Sequence, residues 1–213
     1  LESNANRLVT TSENLVARKG QDPKKRITIS GHIDAKIDTP GAIDIATGVI
    51  VLLLLAERLK EYQGEMMIEF LPFNGEDYYA ASGQMIYLEQ NREQFEDIKI
   101  NINIDGAGYH AGPSAFSPFN LPDEIMVRLS EVLNASETIY EGGPWYQGDH
   151  SIFLQQGVPA IAVTSQWFLE NIDDQDITQT PKDHPGIVDC DKLVDISAGI
   201  HDFIRLAYLS DEI

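Results

Sequence analysis

Apolar residues cluster in short runs separated by polar or glycine-containing turns, and the runs alternate between two periods. After a polar stretch over residues 1–12, residues 13–17 (ENLVA) predict a short strand before the turn Gly20-Gln21-Asp22-Pro23. ITIS, residues 27–30, predicts a strand running into Gly31-His32-Ile33-Asp34. Residues 44–61 predict a helix, with Gly41 allowing a tight entry, and its stretch 49–56 is so apolar that burial nearly all round is expected. Residues 66–71 predict an apolar strand broken by Pro72, and residues 77–90 a helix starting just after Glu76.

Ile98, Ile100, Ile102 and Ile104 alternate with polar residues, the period of a strand with one buried face, before the turn Asp105-Gly106. Residues 112–122 read as a loop carrying Phe116 and Phe119, and residues 123–133 as a helix. Residues 141–148 form a further loop, whose Trp145 and Tyr146 are candidates to line a pocket. Residues 159–164 (PAIAVT) predict a buried strand, and 191–209 an amphipathic closing helix. Strands alternating with helices place the chain in the α/β class, with a mixed, mostly parallel sheet covered on both faces.

The candidate chemistry lies at the strand ends. The runs ITIS, MMIEFL and IKININI lead into His32 and Asp34, into Glu76-Asp77, and into Asp105. In open α/β sheets ligands bind beyond the carboxyl ends of the strands, so these side chains are expected to converge on one crevice. A metal-bound imidazole gives its second N–H to an acceptor, and Asp34 suits that role for His32, fixing its tautomer. Asp44, at the head of an apolar helix, is either a first-turn acid or a carboxylate bridging two metals. Two adjacent acids after a buried strand need a balancing cation, which suits Asp77 as a ligand and Glu76 as a general base.

Composition narrows the picture. At 213 residues and 43% hydrophobic content the chain fits one domain, and its 34 acids against 15 Lys and Arg give a formal charge of −19. That charge repels phosphate backbones, so no nucleic-acid partner is expected. The apolar run 49–56 is far too short to span a membrane, which predicts a soluble protein with a lean toward the cytoplasm. Cys190 is the single cysteine, so no intramolecular disulfide is possible and the compartment stays open. A chain beginning at Leu1 is expected to be processed or to be a fragment lacking upstream sequence. The sequence lacks a His-Glu-x-x-His helix, a phosphate loop and a dinucleotide fingerprint.

The segments NLVARKG, GHIDA, PGAIDIATGV, FLPFNGEDYYAASG, NIDGAG, GDHSIFLQQGVPAIAVTS and TQTPKDHPGIVD succeed one another in order along nearly the whole chain. Together they resemble the zinc aminopeptidases of clan MH, which include bacterial leucyl aminopeptidases, glutaminyl cyclases and glutamate carboxypeptidase relatives. The resemblance implies the three-layer αβα zinc-exopeptidase fold and a single catalytic domain over residues 1–213. It implies one zinc held by His32, Asp44 and Asp105, a second shared by Asp44 and Asp77, and Glu76 as the base, acting on peptide or aminoacyl substrates. Other divalent metals are compatible. The Asp149-His150 pair matches an element beside the substrate cleft, structural or substrate-facing. The family's closing His before Thr-Pro-x-Asp is Gln179 here, a weaker donor for zinc, so the second metal position is expected to be weakened. His184 would replace it only if the loop is rebuilt. His110 and His201 read as a loop residue and a helix-surface residue. Two alternatives accompany the aminopeptidase reading: a glutaminyl cyclase, and a binding or assembly module in which Gln179 marks lost catalysis.

Overall fold

The computed structural model describes residues 11, 13–78 and 81–209. Its strands are β1 (Ala17–Lys19), β2 (Asp22–His32), β3 (Met66–Phe73), β4 (Ile98–Ile104), β5 (Ser114–Phe119), β6 (Ile139–Glu141) and β7 (Ala160–Ser165). They form one sheet in the order β1-β3-β2-β4-β7-β5-β6. The centre, β3-β2-β4-β7, is parallel, β1 joins one edge antiparallel, and β5 with β6 runs against β7 at the other. The helices are α1 (Thr47–Arg58), α2 (Ser82–Asn91), α3 (Asp123–Ala135), α4 (His150–Gln155), α5 (Gln166–Asn171) and α6 (Cys190–Tyr208).

The core is divided by the sheet. On one face Val51, Leu52 and Leu55 of α1 pack with Ile196, Ile200 and Phe203 of α6 and Leu129 of α3 over Ile27, Ile29, Ile100 and Ile102. On the other, Tyr87 of α2 and Ile152 and Phe153 of α4 close over Leu71, Phe73 and Phe95. The layers are therefore α, β, α.

Several local readings change. Residues 13–16 are irregular and the first strand starts at Ala17; Asn14 instead clamps two turns, its Nδ2 donating to Gly83 O (2.8 Å) and its Oδ1 accepting from Asn74 N (3.2 Å). Helix α1 is buried on one side only: Ile50 is 43% and Leu53 65% exposed, because the sheet and α6 cover a single face of it. It is preceded by a π-helical segment, Ala42–Ala46, in which the Asp44-Ile45 peptide is cis.

Pro72 does not end β3, nor does Pro118 prevent β5. Phe73 O accepts from Ile33 N, so Pro72 faces the opposite side, where the register with β1 stops at Phe70. Pro118 likewise lies past the end of β6, which pairs only as far as Phe116. A missing N–H is harmless where the neighbouring strand has already ended. Residues 112–122, read as a loop, thus contain a strand that pairs with β7.

β4 is buried on both faces, as strands inside a parallel sheet are. Its asparagines are paired: Asn101 Nδ2 donates to Thr28 Oγ1 and Ser30 Oγ, and Ser30 Oγ donates to Asn103 Oδ1. Helix α2 begins at Ser82 and not after Glu76, because the backbone N–H groups of residues 75–77 are bound in a turn by Asp34.

Two glycines let the central elements approach closely. A methyl group on Gly31 of β2 would lie 2.7 Å from Ile104 O, and one on Gly48 of α1 would lie 2.8 Å from the same oxygen. The last turn of β2, the head of α1 and the end of β4 therefore meet around a single carbonyl.

Candidate metal centre

Because β2, β3 and β4 are parallel, their carboxyl ends share one edge, and the residues just beyond them gather there. His32 closes β2 and is 1% exposed. Its Nε2 lies 3.0 Å from Asp44 Oδ1, 3.8 Å from Asp105 Oδ1 and 4.0 Å from Glu76 Oε2. One ligand atom each from His32, Asp44 and Asp105 falls within 4.8 Å of the others, and the same holds for His32, Asp34 and Asp77.

The tautomer of His32 is set by Asp34, but through a different atom from the one expected. His32 Nδ1 sits 2.9 Å from the backbone carbonyl of Asp34, which can only accept, so Nδ1 carries the hydrogen and Nε2 faces the centre. The Asp34 carboxylate is used elsewhere: Oδ1 accepts from Gly75 N (2.7 Å) and Glu76 N (3.2 Å), and Oδ2 from Asp77 N (3.1 Å). One residue thereby orients the imidazole and the turn that carries both acids.

Asp44 is positioned from the far end of the chain. Asp183, fully buried, accepts from Ile43 N at 2.6 Å and Asp44 N at 3.1 Å. Its own backbone closes the loop: Asp183 N donates to Thr180 O and Ala42 N donates to Asp183 O. Asp183 is the Asp of the Thr-Pro-x-Asp motif, but nothing in the linear pattern shows that its carboxylate binds backbone amides some 140 positions away.

Electrostatics at the centre are those of several acids around one imidazole. Burial pushes Glu76 up to about 7, helped by the charge of Asp105, and pushes Asp44 up to about 6. Burial also raises Asp77. For His32 burial opposes the charged form, but contacts with Asp105 and Asp44 outweigh it and hold the ring up to about 12. Two buried oxygens, Asp44 Oδ1 and Asp77 Oδ2, make no aligned hydrogen bond. Carboxylate oxygens converging on an imidazole without aligned hydrogen bonds of their own fit a divalent cation, and His with carboxylates is a zinc donor set.

Gln179 reaches this cluster from the closing loop, with its backbone in the left-handed region (φ 60°) and its Nε2 donating to Asp77 Oδ1 at 2.8 Å. His184 does not. It is exposed and its Nδ1 accepts from Gly186 N at 3.1 Å, capping the turn Pro185–Ile187. His110 is an exposed loop residue beside Ile187 O, and His201 lies on the outside of α6 beside Asp202.

Asp149 and His150 are buried and do not line the opening. Gln84 Nε2 donates to Asp149 Oδ1 (2.5 Å), and burial raises Asp149 to about 7. His150 Nε2 donates to Trp145 O (2.9 Å), and the two rings meet edge-to-face with their centroids 5.0 Å apart. Trp145, with Phe168, Leu169 and Ile172, forms the apolar side of a cavity of about 150 Å³ whose other wall includes Asp44 and Asp105.

The fold that carries this centre recurs in known proteins. An aminopeptidase from Aneurinibacillus sp. strain AM-1 superposes with a TM-score of 0.76 at 21% identity, over 91% of this chain and 47% of that one. A zinc aminopeptidase from Bacillus subtilis gives 0.76 at 18%, over 91% and 49%. Among curated proteins, a probable leucine aminopeptidase 2 of Aspergillus oryzae is 24% identical over 185 residues, 86% of this chain and 32% of its own length. A probable glutamate carboxypeptidase of Arabidopsis thaliana is 27% identical over 149 residues, 64% of this chain and 21% of its own length. The solved structures establish an aminopeptidase-like α/β fold, and the chain spans a third or less of the curated relatives it matches. Residues 14–204 match Peptidase family M28, and the chain belongs to that family.

Proposed function

We propose that residues 1–213 form the catalytic domain of a zinc-dependent aminopeptidase that removes N-terminal residues from peptides. The observation that carries this reading is the convergence of His32, Asp44 and Asp105 on one point, with the Glu76 carboxylate 4.0 Å from the imidazole. These three residues would hold the ion. When bound, zinc would polarise the scissile carbonyl and acidify water.

The chain's own residues supply the rest. Glu76 takes the proton from the attacking water and returns it to the leaving amine, a role suited to a carboxyl held at about 7. The Asp34 carbonyl keeps the His32 Nε2 lone pair directed at the centre, and the Asp34 carboxylate fixes the turn that presents Glu76. The acidic surroundings attract a substrate's α-ammonium group. The cavity lined by Trp145, Phe168 and Ile172 suits an apolar side chain on the first residue. Gln179 in the closing loop weakens the second metal position. Retention of His32, Asp44, Asp105 and Glu76 favours an enzyme over a binding module of the same fold.

The test is hydrolysis of leucyl p-nitroanilide by metal-stripped protein as zinc is restored. Activity that appears with zinc and disappears in Glu76→Gln is expected; equal activity of that variant would refute the assignment.

A further inference from the structure

Opposite His32, Asp77 faces a side-chain amide. Gln179 Nε2 donates to Asp77 Oδ1 at 2.8 Å, and the amide nitrogen of a glutamine has hydrogens to give and no lone pair to offer a metal. Turning the amide over would set its carbonyl oxygen against an anionic carboxylate, so the charge of Asp77 selects the orientation seen. We propose that this chain carries a single catalytic metal ion, at His32, Asp44 and Asp105, and that the Gln179 amide stands in place of a second by tying Asp77 down as a hydrogen-bond acceptor. This inference rests on the metallopeptidase reading of the same site.

Donor counting supports it. Catalytic zinc sites keep three protein ligands, and His32, Asp44 and Asp105 supply three. The nearby Asp34 carboxylate is taken by the amides of residues 75–77, and His32 faces the first ion. A second ion would have Asp77 Oδ2, which is buried and without a donor among the described residues, and a share of Asp44. That is one ligand short, and the third place is taken by an N–H.

The loop cannot easily bring in a replacement. Thr180 Oγ1 donates to Asp176 O (3.0 Å) and Ile177 O (2.8 Å), and Asp183 anchors the far side to Ile43 and Asp44. Gln179 is thus presented from a segment pinned on both flanks. His184 is occupied in its own turn on the exposed side of that anchor.

The experiment is zinc stoichiometry of the metal-stripped protein by native mass spectrometry and calorimetry, with no dependence on turnover. Wild type is expected to bind one equivalent tightly, and Gln179→His two. Asp77→Asn in the wild-type background is expected to leave the first equivalent's affinity nearly unchanged, whereas loss of a residue that holds or orients that ion costs about 10–100-fold. Two equivalents of similar affinity in wild type, or a loss of that size in Asp77→Asn, would overturn the single-ion assignment while leaving the metallopeptidase reading standing. A wild-type protein that binds no zinc would remove both. Should Gln179→His fail to fold, the wild-type and Asp77→Asn measurements still decide.

Discussion

Asp183 holds Asp44 by its backbone: the buried carboxylate accepts the Asp44 N–H at 3.1 Å and that of Ile43 at 2.6 Å. A non-helical residue in the middle of the π segment is thereby fixed by a loop from the other end of the chain. Asp183→Ala strands two buried donors, and a loss of about 2–4 kcal/mol is expected. Denaturant midpoints with and without zinc measure it. The zinc-induced gain in midpoint should shrink as well, and an unaltered gain would separate Asp183 from the centre.

Among the described residues no backbone N–H donates to the Glu76 carboxylate, and its side chain remains partly open. Replacing it with Gln keeps the volume and removes the proposed base, so kcat should fall by about 10²–10⁴-fold. Zinc stoichiometry should not change, because Glu76 is not among the three residues assigned to the ion. Lost zinc in this variant would point to a ligand instead.

The pH dependence comes from the buried acids. In the metal-free protein Asp44 is raised from 3.8 to about 6 and Glu76 from 4.5 to about 7. The folded chain therefore binds more protons than the unfolded one across that window, and stability falls as pH rises from about 4 to about 7. His32, raised from 6.5 to about 12, adds a loss in the same direction at higher pH. Zinc held by His32 and Asp44 requires both deprotonated, so its affinity should rise with pH and its binding should release protons. Calorimetry at pH 7 in buffers of different ionisation enthalpy reads that release directly; a heat independent of buffer would contradict it.

Ile172 stands half-exposed at the mouth of the cavity beside Asp44 and Asp105, where a larger side chain can be added without repacking the core. Ile172→Trp is expected to lower kcat/KM for leucyl substrates by about 10- to 200-fold, the range that small volume changes in an apolar pocket produce. Alanyl substrates should suffer less. Equal losses for both would place the substrate's first side chain elsewhere.

His32, Glu76, Asp77 and Asp105 are legible in the sequence because each comes just after an apolar run, and parallel strands bring such positions to one edge. Asp44 can be noticed there but not assigned, since an acid at a helix head has an ordinary use. What stays hidden depends on contacts across the fold. Pro72 and Pro118 read as breakers because the ends of β1 and β6 cannot be seen in a linear pattern. The pattern places the start of α2 too early because Asp34 holds the amides that would have begun it. The tautomer of His32 traces to the expected residue but to its carbonyl and not its carboxylate.

The Ile104 carbonyl, approached from one side by Gly31 and from the other by Gly48, sits directly before Asp105. His32 comes next after one glycine, and Asp44 lies four positions ahead of the other. The distances among the three residues assigned to the ion are thus governed by two positions that carry no functional group. Alanine at either would wedge the imidazole or the aspartate away from its partners, so the strictest chemical requirement of the site falls on the two residues with the least chemistry.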